Sequence, residues 1–199
     1  LSICQVLVLR RSSGGLDLLT EAFLERRFRV ATSLAAVHGG MYVAELLDAL
    51  TADADPQPEL FDAADTTLLR LSGHEGPDDL VWPRIVRFEL AALRAAGQAP
   101  ALGRCAECRA AVATTGRIAF GMLDGGVLCP ACRRGRRSVV SVSAAALAVL
   151  RGVRSGAAEG PIEPPVLGEL RAVMNTYVAH VLGRRSRLAP RLVPGPSIR

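Results

Sequence analysis

The chain has 199 residues, half of them apolar, which is enough to bury a sizeable core in one or two domains. Its 24 basic side chains outnumber 19 acidic ones for a formal charge of +5, and all 24 are arginine, a balance that favours a polyanionic partner. Its few aromatics are scattered rather than gathered into a base-stacking platform, and no apolar stretch reaches the roughly 18 residues a membrane span needs.

Residues 3–9 and 16–19 are short apolar runs around a glycine turn and read as a hairpin, the remnant of a β-domain. The run at 1–9 is expected to be a strand rather than a signal segment, because no basic segment precedes it here and Arg10 and Arg11 follow. The missing initiator Met is expected of a chain that begins inside a larger protein. From Val30 the period changes: Leu34, Val37, Met41, Ala44, Leu47 and Leu50 follow at helical spacing and predict a first helix over 30–50. Residues 53–58 break it. Leu60, Ala64, Leu68 and Leu71 then mark a second helix over 58–71, and Ile85, Phe88 and Leu93 a third that ends near Gly97.

Between 102 and 137 lies the most specific chemical signal, two C-x2-C pairs formed by Cys105 with Cys108 and Cys129 with Cys132. Each pair presents two sulfurs from one tight turn, and two pairs facing each other complete the tetrahedron that Zn²⁺ accepts. Two disulfides or a thioredoxin-like redox motif would use the same residues. Zinc is the favoured reading because Cys4 is left without a partner, as in a reducing cytosol, and because the intervening runs at 116–120 and 127–129 form a small hairpin. Such a hairpin has too few apolar side chains for its own core, so a metal would substitute for burial. With all four positions filled by sulfur, the metal would be structural.

Beyond the cysteines, Ser143 is placed to cap a fourth helix running to about Val153, and residues 156–165 form a Gly/Pro connector. Leu167, Leu170, Val173, Met174 and Tyr177 begin the face of a last helix, and the proline-rich tail at 189–199 reads as disordered. The fold class expected is mainly α: a helical bundle with an inserted four-cysteine zinc hairpin at 102–137, preceded by a partial β remnant. The division expected is 1–28, 29–188 and 189–199.

No catalytic constellation emerges, and an enzyme is not expected. His38, His74 and His180 are far apart and read as structural or solvent-facing. No P-loop, dinucleotide fingerprint or nucleophile elbow is present. Three arginine clusters remain as candidate phosphate contacts: Arg26, Arg27 and Arg29; Arg133, Arg134, Arg136 and Arg137 after the second cysteine pair; and Arg184, Arg185 and Arg187 after the last helix. A solvated face is the plain alternative for each cluster. A protein-interaction scaffold is the alternative for the whole chain.

Residues 42–50, the run at 58–61, Phe88 to Leu93 followed by Gly97 and Pro100, and the cysteine pairs with Gly125 and Gly126 just before Cys129 resemble the bacterial RecO family of DNA repair proteins. The helix at 177–182 with its trailing basic residues is similar to that family's last helix. The resemblance runs from about Leu16 to Leu188. It implies an N-terminal OB-fold, of which the first residues here would be the last strands, and a helical domain carrying zinc. It further implies a cytoplasmic, nucleoid-associated recombination mediator that binds single- and double-stranded DNA and anneals strands. Such a mediator works with RecR and the C-terminal tail of single-strand-binding protein to load the recombinase, and has no membrane partner.

Overall fold

The computed structural model describes residues 1–12, 15–30, 33–53, 55–158 and 160–192. Strands β1 (Ser2–Leu9) and β2 (Leu18–Arg27) form an antiparallel ribbon and pair with no other strand among the described residues. The second strand is longer than the apolar run at 16–19 because polar and apolar residues continue to pair with β1 up to Arg27. The ribbon is tied to the helices that follow. Phe28 packs so close to Gly40 that a Cβ there would lie 2.4 Å from its ring, and Arg26 pairs with Asp65.

Helix α1 covers Leu34–Leu50. It starts after Val30, where the apolar stripe begins, because Ser33 holds an extended conformation and its Oγ accepts from the Ala36 amide at 2.9 Å. That hydroxyl in turn donates to Asp78 Oδ1 at 2.6 Å, which joins the cap to the loop before the third helix. Helix α2 (Pro58–Ser72) begins on a proline, whose missing N–H costs nothing at a first turn. Helix α3 covers Val81–Ala95 and buries Trp82, Ile85, Val86, Phe88 and Leu93.

The hairpin is part of a three-stranded antiparallel sheet, β3 (Arg117–Gly121), β4 (Gly126–Leu128) and β5 (Val139–Ser143), in the order β4-β3-β5. At Gly126 φ is 151° and a Cβ would lie 2.3 Å from the Ala101 carbonyl oxygen, so only glycine lets the hairpin lie against Ala101. Strand β5 was not expected. Its five residues, three Val and two Ser, merge without a turn into the helix that Ser143 caps, so the largely apolar run at 139–150 conceals the change of period.

The remaining helices are the short α4 (Pro130–Arg133), α5 (Ala144–Ser155) and α6 (Pro164–Leu182). One core joins the bundle to the inner face of the sheet: Ile118, Phe120, Val127 and Val142 pack with Leu147, Leu170 and Tyr177. The Phe120 and Tyr177 rings meet edge to face, 5.5 Å apart. The fold is thus mainly α with small antiparallel sheets.

The segment after α6 corrects one expectation. Residues 189–191 form a helical turn, with Ala189 and Leu192 buried, where disorder was expected from residue 189. The anchor is Glu45 on α1, whose carboxylate accepts from Ser186 Oγ (2.7 Å) and from the amides of Arg187 (2.8 Å) and Leu188 (3.2 Å). The rest of the expected tail, 193–199, lies outside the described residues.

Candidate metal centre and basic surface

The first cysteine pair sits on a turn in which the Cys105 amide donates to Ala110 O at 2.9 Å and the Arg109 amide to Cys105 O at 3.0 Å, with Arg109 in the left-handed region at φ 63°. The Ala106 amide donates to Val127 O at 2.8 Å, which sets this turn against β4. In the second pair, Cys129 caps α4 and Cys132 lies within it, one turn on. The four sulfurs all lie within 4.8 Å of one another. Cys108 and Cys129 are 3.7 Å apart, close to the roughly 3.8 Å edge of a tetrahedron with Zn–S bonds of about 2.3 Å. A disulfide would need about 2.05 Å, and all five cysteines are free.

The electrostatics favour a cation. Burial pushes the Cys105 thiol up, but hydrogen bonds from the Cys108, Cys129 and Glu107 amides outweigh it and bring the thiol down to about 6. Cys129 is lowered mainly by the Cys132 amide. Cys132 is pushed up to about 12 by its hydrogen bonds with the Cys108 and Cys129 sulfurs. Cys105 and Cys129 thus lean toward the thiolate form that a cation takes, and a divalent ion would displace the proton held by Cys132 as it binds. Cys105 and Cys129 are buried with Ala119 and Leu128 in a small second core.

The arginine clusters are divided by their surroundings. Arg26 is occupied by Asp65. Arg136 is held between Glu107 (2.9 Å) and Asp124 (3.0 Å), so it braces the first cysteine turn against the hairpin loop. Arg184 faces Glu45 at 3.5 Å, and the Arg187 backbone is held by the same carboxylate. Arg29 exchanges backbone hydrogen bonds with Ser72. Arg27, Arg133, Arg134, Arg137 and Arg185 are exposed, and among the described residues no carboxylate lies within ion-pair distance of them.

A buried ionic group was not anticipated from the sequence. Arg171 of α6 donates to Glu89 Oε2 of α3 at 2.8 Å and to Asn175 Oδ1 at 2.6 Å, while the Tyr42 hydroxyl of α1 donates to Glu89 Oε1 at 2.7 Å. Its signal was an opposite charge on each of two otherwise apolar helix faces. Arg117 on β3 likewise reaches Glu169 of α6 at 2.5 Å. Of the histidines, His74 is buried in its loop, with Nδ1 3.2 Å from Arg84.

The family model described as "Recombination protein O C terminal" matches residues 31–188. A protein of Rhodopirellula baltica named DNA repair protein RecO is 32% identical over 96% of this chain and 79% of its own length. Proteins of the same name from Myxococcus xanthus and Anaeromyxobacter sp. strain K are 37% and 38% identical. They match over 76% and 72% of this chain, which spans 59% and 56% of their lengths. The helical bundle, the four-cysteine cluster between its third and later helices and these likenesses agree, and the chain belongs to the RecO family of DNA repair proteins.

Proposed function

We propose that this chain is the helical, zinc-stabilised part of a recombination mediator that binds DNA, promotes strand annealing and helps load the recombinase onto single strands. Binding and positioning, rather than catalysis, carry this role. The observation that supports it most is the placement of Arg133, Arg134 and Arg137 directly after the second cysteine pair, exposed and without carboxylate partners among the described residues. Guanidinium groups meet phosphate oxygens through a planar fork of donors, and three of them after one turn concentrate positive charge there.

The metal is Zn²⁺, held by Cys105, Cys108, Cys129 and Cys132. Bound there, it would cross-link the two turns and leave no position open for a reacting water. The ribbon at 1–28 is the end of an OB-fold and 29–188 the helical domain. Val6, Leu7, Leu19 and Phe23 are each more than half exposed on the ribbon, which suits strands that normally pack against others. The setting is the cytoplasm at the nucleoid, and no helix among the described residues is long and apolar enough to cross a membrane.

The proposed partners are DNA, RecR and the acidic, apolar-ended tail of single-strand-binding protein. A groove of about 170 Å³ between α3 and α5 suits the last of these, with Leu90, Ala91 and Pro100 along it, Arg154 beside it and Arg94, which also pairs with Glu59 at 3.0 Å. DNA affinity measured against salt tests the main reading. Binding that weakens steeply as salt rises is expected; salt-independent association with a protein partner and no DNA binding would favour an interaction scaffold instead.

A further inference from the structure

The sheet has two faces, and only one of them belongs to the bundle. Ile118 and Phe120 sit in the main core, whereas Ala119 of β3 and its cross-strand partner Leu128 of β4 turn to the other side. A groove of about 240 Å³ runs there, with the largely buried Ala119 and Leu128 beneath it, Ala113 and Pro130 in its walls, and Arg133, Arg134 and the Glu169-paired Arg117 around it. It is smaller than the roughly 300–1,000 Å³ of sites for drug-sized ligands. That size suits one planar heterocycle. Its lining is aliphatic and its rim cationic, so an occupant needs an apolar planar body and an anionic flank.

We propose that this groove takes a single unstacked base of single-stranded DNA, with the adjoining phosphates on Arg133 and Arg134. The inference rests on the DNA-binding reading above and adds a site that separates unpaired from paired DNA. A duplex presents phosphates to the same arginines but keeps its bases stacked inside, so the groove gains nothing from it. An unpaired strand can turn a base out, and aliphatic contact holds it without regard to sequence.

The test compares labelled oligothymidine with an abasic strand of the same length and phosphate number, using the full chain and fluorescence anisotropy. Oligothymidine binding about tenfold tighter is expected, the fold-change that burial of roughly 55 Å² of apolar surface gives. Ala113→Leu, which fills the groove from its wall without adding a ring on which a base could stack, lowers the oligothymidine affinity to that of the abasic strand. Equal binding of the two strands by the unaltered protein overturns the groove proposal alone, as does selectivity that survives in Ala113→Leu. Failure to bind either strand overturns the DNA-binding reading as well. A second measurement does not depend on the variant folding: 2-aminopurine within a bound single strand should brighten as its base leaves the stack, and an unchanged signal counts against the proposal.

Discussion

Arg171 of α6 and Glu89 of α3 form an ion pair of 2.8 Å with almost no solvent exposure, and Tyr42 of α1 closes the other side of the carboxylate. Three helices distant in sequence therefore share one buried polar group. Burial works against the Arg171 charge, yet the nearby Glu89 carboxylate holds its pKa above the ordinary value.

Removing one member strands a charge in the core. Arg171→Met should cost about 3–5 kcal/mol of unfolding free energy in urea titrations. The double variant Arg171→Met with Glu89→Leu should recover much of that loss, because no charge then remains buried. A double variant no more stable than Arg171→Met would contradict the account.

The sulfur cluster should bind about one zinc per chain, and chelation should melt the segment 102–137 before the bundle. Purified reduced protein, assayed for metal and then followed by hydrogen exchange with and without chelator, checks both points. Zinc content near zero would remove the metal reading.

The second arginine cluster should split in two. Arg133, Arg134 and Arg137 replaced by Ser should each weaken binding to any DNA sequence alike and flatten the salt dependence by about 0.9 per lost contact. Arg136→Ser should leave the salt slope nearly unchanged and loosen the hairpin, because its guanidinium is already shared between Glu107 and Asp124. A full unit of slope lost with Arg136 would reverse that assignment.

Burial pushes Glu45 up, but the Ser186 hydroxyl, the Arg187 and Leu188 amides and Arg184 outweigh it, so its carboxyl titrates below the ordinary range. A group with a depressed folded pKa adds stability above its unfolded value, about 4.3, and loses it as pH falls through the folded one. The anchoring of residues 186–192 should therefore be complete at neutral pH and weaken in acid. Glu45→Gln should lower stability at pH 7 by roughly 1–2 kcal/mol and reduce the acid sensitivity of that segment. Identical pH profiles for the two proteins, read by hydrogen exchange at Leu188 and Ala189, would rule out the anchor.

Local chemistry was legible in the sequence wherever neighbours in the chain decide it. The two C-x2-C pairs announce a four-sulfur site because each pair is made by one turn. Ser143 declares a helix start because its hydroxyl reaches an amide three residues on. The apolar stripes of α2, α3 and α6 follow from 3.6-residue spacing alone. Only the tertiary structure decided which charges are available, since a run of arginines does not reveal the carboxylates that approach it through space. Asp65, Glu107 with Asp124, and Glu45 engage Arg26, Arg136 and Arg184, and leave Arg133 and Arg134 exposed. The Glu89–Arg171 pair was hidden for the same reason, because local periodicity carries no record of a partner far along the chain, whereas strand β5 was masked by running without a turn into the helix that Ser143 caps.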